Sequence, residues 1–220
     1  MCAALVFGAT SASAQTPASS ASQSATGPIV NLWYAGASTG ITHVAKTGGE
    51  FSGEAGVRVW RNLDIGVEVG WLSNVVNQNT LDSAAQIATF LQQTQGQPAT
   101  SDVTAPSTFG MVNFRWVFED LTKSIIRPYA VFGVGGARVS RNSTFTLGGA
   151  DVTNSLPQYG VTLGSDLTGH SSHAAFTFGG GVLVPLGKYY ADANYRLMTI
   201  NTESQATNVN RFNFGFGLRF

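Results

Sequence analysis

Residues 209–220 read VNRFNFGFGLRF, and this stretch decides the fold. Phe212, Phe214, Phe216, Leu218 and Phe220 fall on one parity, while Arg211, Asn213, Gly215, Gly217 and Arg219 fall on the other. A period of two is that of a β-strand, whose successive side chains point to opposite faces. In a soluble sandwich such an apolar face would lie under a second sheet, and the other face would be solvated and rich in Lys and Glu. Here the other face is Gly, Asn and Arg, which are small or pairable groups suited to a narrow interior. The strand therefore predicts grease outside and polarity inside.

Working outward from it, the same alternation marks eight segments, at 29–44, 50–60, 64–72, 108–118, 127–140, 173–184, 189–200 and 209–220. A tilted membrane-spanning strand needs about nine to eleven residues, so these lengths fit. Ile65, Val67, Val69 and Trp71 oppose Asp64, Gly66, Glu68 and Gly70; Ala191, Ala193, Tyr195 and Leu197 oppose Asp192, Asn194 and Arg196. Connections near 61–62, 119–126 and 185–188 are short, whereas 73–107 and 141–172 are long loops that would share one end of a barrel.

Composition narrows the class further. Only 11% of the 220 residues are charged, against about 25% in an ordinary soluble domain, and twelve basic residues balance twelve acidic ones. No apolar run reaches the length of a membrane helix, which excludes a helical membrane protein. Zero net charge without a basic block argues against a nucleic-acid partner. In hydrocarbon every backbone polar group must be paired internally, so only helices and closed barrels can span. The reading is thus an all-β, eight-stranded antiparallel transmembrane barrel over residues 28–220, with a lumen filled by side chains, as eight strands leave little more room than that.

The first 14 residues, MCAALVFGATSASA, end in a small-residue cleavage pattern and read as a secretory signal peptide cut after Ala14. The missing basic start implies an upstream or truncated beginning. Residues 15–27 read as a disordered leader. Cys2 is the single cysteine, so the mature chain would carry no thiol, in keeping with an oxidising envelope compartment.

On the inward parity lie Arg58, Asp64, Glu68, Arg115, Asp192, Arg196 and Arg211, with Arg219 beside them. Buried unpaired charge is costly, so these groups are expected to pair with one another and with Tyr34, Ser38, Asn113, Tyr129 and Asn194, as a plug. A gated conduit or proton relay is the sharper alternative. Glycines at 36, 40, 66, 70, 133, 135, 179 and 181 share that parity and point either to a crowded lumen or to ordinary bulges.

Trp33–Gly40, the hairpin Val57–Trp71 and the terminal alternation ending in Phe220 resemble the eight-stranded outer-membrane barrel family of the OmpA transmembrane domain, OmpX and the opacity-type proteins. The resemblance implies a bacterial outer-membrane location among outer-membrane lipid and lipopolysaccharide. It implies a structural, loop-displaying role and no cofactor. It also makes Phe214, Phe216, Leu218 and Phe220 the signal read by the barrel-assembly machinery. Glu68 would take the family's lumenal glutamate position. Ser38 stands where OmpA has a lumenal lysine and Leu183 where it has a second lumenal glutamate, so OmpA's proposed salt-bridge gate does not carry over intact.

His170-Ser-Ser-His173 is the one constellation with catalytic flavour. It is similar to the His-x-Ser pattern of lipid A deacylases, whose site has a downstream glutamate; here none follows before Glu203, in a loop, so the third partner is absent or must be Asp192. His43, His170 and His173 could instead hold a metal or haem at the outer rim, but histidines scattered over rim segments are more often solvated, and no metal is expected. Within the first long loop, Ala84, Ile87, Ala88 and Leu91 follow a helical spacing over 81–95; that helix either presents a surface to lipopolysaccharide or a partner, or caps the barrel mouth. The expectation is a non-enzymatic scaffold whose loops 73–107 and 141–172 meet a surface ligand, with a low-conductance porin and a deacylase-type hydrolase as alternatives.

Overall fold

The computed structural model describes residues 33–118, 125–202 and 206–220. The proposed signal peptide and leader lie outside these residues. Ten strands form: β1 (Trp33–His43), β2 (Thr47–Trp60), β3 (Leu63–Leu72), β4 (Ala99–Thr104), β5 (Ser107–Val117), β6 (Arg127–Leu147), β7 (Ala150–Asp151), β8 (Gly169–Leu186), β9 (Tyr189–Asn201) and β10 (Ala206–Arg219). Eight of them pair antiparallel in the order β6-β5-β3-β2-β1-β10-β9-β8, and β8 pairs back to β6. The ring closes and leaves no barrel edge unpaired.

Each barrel strand sorts its side chains as the alternation dictates. β5 is the cleanest case: Ser107, Phe109, Met111, Asn113, Arg115 and Val117 are buried, and every residue between them is exposed. Trp33, Phe51, Val67, Trp71, Phe114, Trp116, Phe178, Phe214 and Phe216 all stand exposed on the outer wall. Water would not tolerate a continuous band of this kind on a monomer, but the hydrocarbon of a bilayer covers it.

The inward glycines sit in continuous register; the register shift in the β2–β3 ladder lies instead between Arg58 and Trp60. Crowding explains them. A Cβ at Gly56 would stand 2.5 Å from the Tyr34 hydroxyl, and one at Gly181 would stand 2.5 Å from the Ala193 carbonyl oxygen.

The two ends of the barrel differ. One has tight connections at 61–62 and 187–188 and also receives the 118–126 connection, of which 119–124 lie outside the described residues. The other carries long segments that fold back over the mouth. There helix α1 (Gln78–Gln95) starts one turn before the expected 81–95, because Asn77 Oδ1 accepts from Thr80 N at 2.9 Å and caps it. Gly96, at φ 67°, ends it in the left-handed conformation. Thr80, Ala84, Ala88 and Leu91 form its buried face and Ile87 packs at the margin. The second long segment, 141–172, is more ordered than a loop. β6 continues to Leu147, pairs with β4 and β7, and is followed by a short 3-10 helix at Thr153–Tyr159. The alternation of Ser143, Phe145 and Leu147 on the buried parity carried that signal in the sequence.

Candidate functional site

The lumen is the site to build, because the strands bring most of their own charged residues together there. Glu50 and Glu54 enter from β2, Asp64 and Glu68 from β3, Arg115 from β5, Asp192 and Arg196 from β9, and Arg211 and Arg219 from β10. Glu68 is central. Its Oε1 accepts from Arg211 Nη2 at 2.6 Å, and its Oε2 accepts from Arg196 Nη1 at 2.6 Å and from Asn113 Nδ2 at 2.7 Å. Arg211 also holds Glu50 through Nε, at 2.9 and 3.0 Å to the two carboxylate oxygens, and through Nη2. Arg196 Nη2 continues to Glu54 Oε2 at 3.3 Å, and Glu54 is closed by Arg115 Nη2 and by the Tyr34 hydroxyl at 2.7 Å. The result is an alternating chain, Glu50–Arg211–Glu68–Arg196–Glu54–Arg115, in which like charges never neighbour directly.

Toward the tight-turn end the pattern changes from chain to layers. Arg115 lies between the rings of Tyr34 and Tyr129, with its guanidinium carbon 4.9 and 5.0 Å from their centroids. Tyr129 donates to both oxygens of Asp192, at 2.9 and 3.0 Å, and Asn194 Nδ2 donates to the same carboxylate at 3.0 Å. Tyr34, Tyr129 and Tyr190 pack with Val117, Val131 and Leu183 into a small aromatic core. Below it, Arg58 Nε donates to Asp64 Oδ1 at 2.6 Å, and Arg219 Nη2 stands 3.9 Å from Asp64 Oδ2.

Two of these carboxylates, Glu50 and Glu54, are absent from the sequence-derived set, although both lie on the parity of Arg58. The signal was arithmetic. Arg58, Arg115, Arg196, Arg211 and Arg219 faced only Asp64, Glu68 and Asp192, and buried charge is costly unless it is paired; adding Glu50 and Glu54 makes five of each. Ser38 meets no charge among the described residues, contrary to expectation, and instead bonds Ser52 Oγ at 2.7 Å.

A larger correction concerns the loop end. There the bore is not ionic but apolar: Phe109, Met111, Ala137, Val139, Ala175, Met198, Ile200 and Val209 point inward and join Leu72, Leu91, Val103, Phe145, Leu156 and Leu167 in one core. Arg211 marks the junction, its guanidinium carbon 4.5 Å from the Phe109 centroid. The helix at 78–95 therefore caps the mouth, because its buried face is part of that core.

The histidine constellation does not assemble with Asp192. Ser171 and His173 face inward, with His173 Nε2 2.7 Å from Ser171 Oγ, while His170 and Ser172 face outward, with His170 Nδ1 2.7 Å from Ser140 Oγ. Asp192 pairs with Leu183, about ten residues along β8 from His173 and so roughly 33 Å away at 3.3 Å per residue. Glu203 lies outside the described residues. His43, on β1, bonds Thr47 Oγ1 at 3.3 Å, and among the described residues no group of three or more metal-ligating side chains forms. Phe214, Phe216 and Leu218 stand on the outer face of β10, with Phe220 exposed just beyond it.

Fold and lumen together define a closed, eight-stranded antiparallel barrel with a lipid-matched exterior and a bore sealed by its own side chains. Among solved structures the chain is similar to Neisserial surface protein A, with 16% identity and a TM-score of 0.50, over 86% of this chain and 96% of that one. It also matches the N-terminal β-barrel domain of Pseudomonas aeruginosa OprF (12% identity, TM-score 0.47, 85% of this chain and 97% of that one). A major outer membrane protein from Thermus thermophilus gives 10% identity and a TM-score of 0.48, over 86% of this chain and 99% of that one. The first likeness establishes the barrel fold. No family model matches the chain, and neither does any curated protein.

Proposed function

We propose that this protein is an outer-membrane barrel that conducts nothing and serves as a scaffold, holding a capped, structured loop assembly at the cell surface for interaction with a partner. The observation that carries the reading is the double seal. An open channel needs a continuous wet path, and here an ionic network blocks the bore from its middle to the tight-turn end while an apolar core blocks the loop end. The tight turns then face the periplasm and α1 and the β6 extension face outward, as in barrels with short periplasmic turns and long external loops. Phe214, Phe216, Leu218 and Phe220 serve as the assembly signal for the barrel-assembly machinery, and lipopolysaccharide and outer-membrane lipid surround the wall. The test is planar-bilayer recording of refolded protein. A silent bilayer with verified insertion supports the scaffold; steady openings would make it a small-solute porin. Release of acyl chains from lipid A, abolished by His170→Asn, would make it a hydrolase.

A further inference from the structure

Among the described residues, Arg138 is the only Asp, Glu, Lys or Arg on the outward parity of the eight barrel strands. A cation on a lipid-facing wall is costly at the midplane and needs a reason near the rim. Its height supplies part of that reason. On β6 the outward residues from Pro128 to Gly136 are apolar or glycine, and Arg138 is the first that is not; on β8 the outward residues turn polar at the same level, at Ser172 and His170. Arg138 pairs in register with Thr108 on one side and Ser172 on the other. Among the described residues it has no side-chain hydrogen bond or ion pair, and β5, β6 and β8 contain no acidic residue that could neutralise it. His170 is oriented by Ser140 through Nδ1, which leaves Nε2 without a partner among the described residues.

The wall beneath this cluster carries a shallow, open trough. Gly110 and Gly136 are direct register partners one step toward the midplane, and Ala174 continues the row. A Cβ at Gly110 would meet nothing within 4 Å. Two adjoining hollows of about 330 and 290 Å³ share Arg138 as a lining residue. Trp71, next to Thr108, borders the second as an aromatic group of the kind found at bilayer interfaces.

We propose that this face seats one phosphate-bearing lipid of the surrounding leaflet. Arg138 takes the phosphate, Thr108, Ser172 and His170 Nε2 flank it, and an acyl chain lies in the Gly110–Gly136 trough. A guanidinium matches phosphate oxygens by paired, charge-assisted hydrogen bonds, which a zwitterionic headgroup shields with its own cation. The inference rests on the membrane-spanning reading but is separable from it.

The test is native mass spectrometry of the refolded full-length barrel with phosphatidic acid and with phosphatidylcholine of the same acyl chains. One phosphatidic acid should be retained at least about tenfold better than phosphatidylcholine, and Arg138→Gln should remove about tenfold of that retention, as expected for loss of a charge-assisted contact. Lys188→Gln, at the opposite rim, should leave it unchanged. Gly110→Leu fills the trough with Arg138 still present and should also reduce retention, which keeps the test decisive if Arg138→Gln misfolds. Equal retention of both lipids, or of phosphatidic acid by the Arg138 and Gly110 variants, overturns the proposal. So does full competition by inorganic phosphate, which would make this a site for a free anion. Failure of the wild type to insert into liposomes would instead overturn the membrane reading beneath it.

Discussion

From its middle to the tight-turn end the bore is filled by Arg, Asp, Glu and Tyr carried on the strands themselves, whereas the loop end is filled by Phe109, Met111, Met198, Ile200 and Val209 and roofed by α1 and the β6 extension. The strands obey one parity rule throughout, so alternation does not choose between the two chemistries; the available cover does. Connections at 61–62 and 187–188 are too short to fold back over the opening, and among the described residues that end is sealed across the bore. Paired ions and tyrosines do so without an outside partner. At the other end the long segments bring Leu91, Phe145, Leu156 and Leu167 down onto the rim, and an apolar rim becomes an ordinary hydrophobic core.

The contrast makes the largest effect predictable. Glu68→Gln leaves Arg196 and Arg211 buried with one fewer counter-charge, and it should cost about 3–5 kcal/mol of unfolding free energy, since breaking a buried pair strands the remaining charge. Urea unfolding in detergent micelles measures it, and a loss under about 1 kcal/mol would mean that water reaches the network. In the apolar half, Leu91→Ala removes a fully buried side chain from the cap and should cost about 2–5 kcal/mol. Here the loss should be local. Amide exchange should quicken in α1 and β4 while the barrel strands stay protected, and uniform quickening would show that cap and barrel unfold as one unit.

On the outer wall, Phe216→Arg places a cation opposite Ala37 and Ala191, midway along the apolar face, and should cost about 2–4 kcal/mol in bilayers. A negligible change at that position would break the outward assignment shared by both halves. The smallest effect belongs to the surface of the cap, where Lys46 Nζ donates to Asp102 Oδ1 at 2.9 Å and ties the β1–β2 connection to β4. The hydrogen bond from Lys46 holds the Asp102 carboxyl below its ordinary range. A carboxyl lowered on folding stabilises fully above its unfolded value of about 3.9, and that contribution fades as pH falls through the lower folded value. Because the pair is exposed to solvent, Asp102→Asn should cost less than about 1 kcal/mol at neutral pH and nothing at about pH 2. Thermal melts at the two pH values check both the size and the sign.

Legibility followed the range of the interaction. The eight spanning segments were readable because each strand's two faces meet different solvents, and that imprints a period of two on neighbouring residues. Within the site, Arg196 and Glu68 were readable as inward-facing, yet their partnership spans 128 positions, and nothing local announces it. Glu50 and Glu54 were recoverable from the parity they share with Arg58 and from requiring the bore to be neutral. The ordered β6 extension was hidden in a stretch rich in Thr, Asn and Gly, where Phe145 and Leu147 are the informative residues.

The amino-acid sequence alone determined the class of protein, because alternation, glycine content and scarcity of charge are local consequences of an apolar medium outside and a narrow space within. Only the tertiary structure decided what fills that space. Which guanidinium meets which carboxylate depends on the closure of the ring. Whether an inward Met or Val faces a void or a packed cap depends on where a distant helix comes to rest.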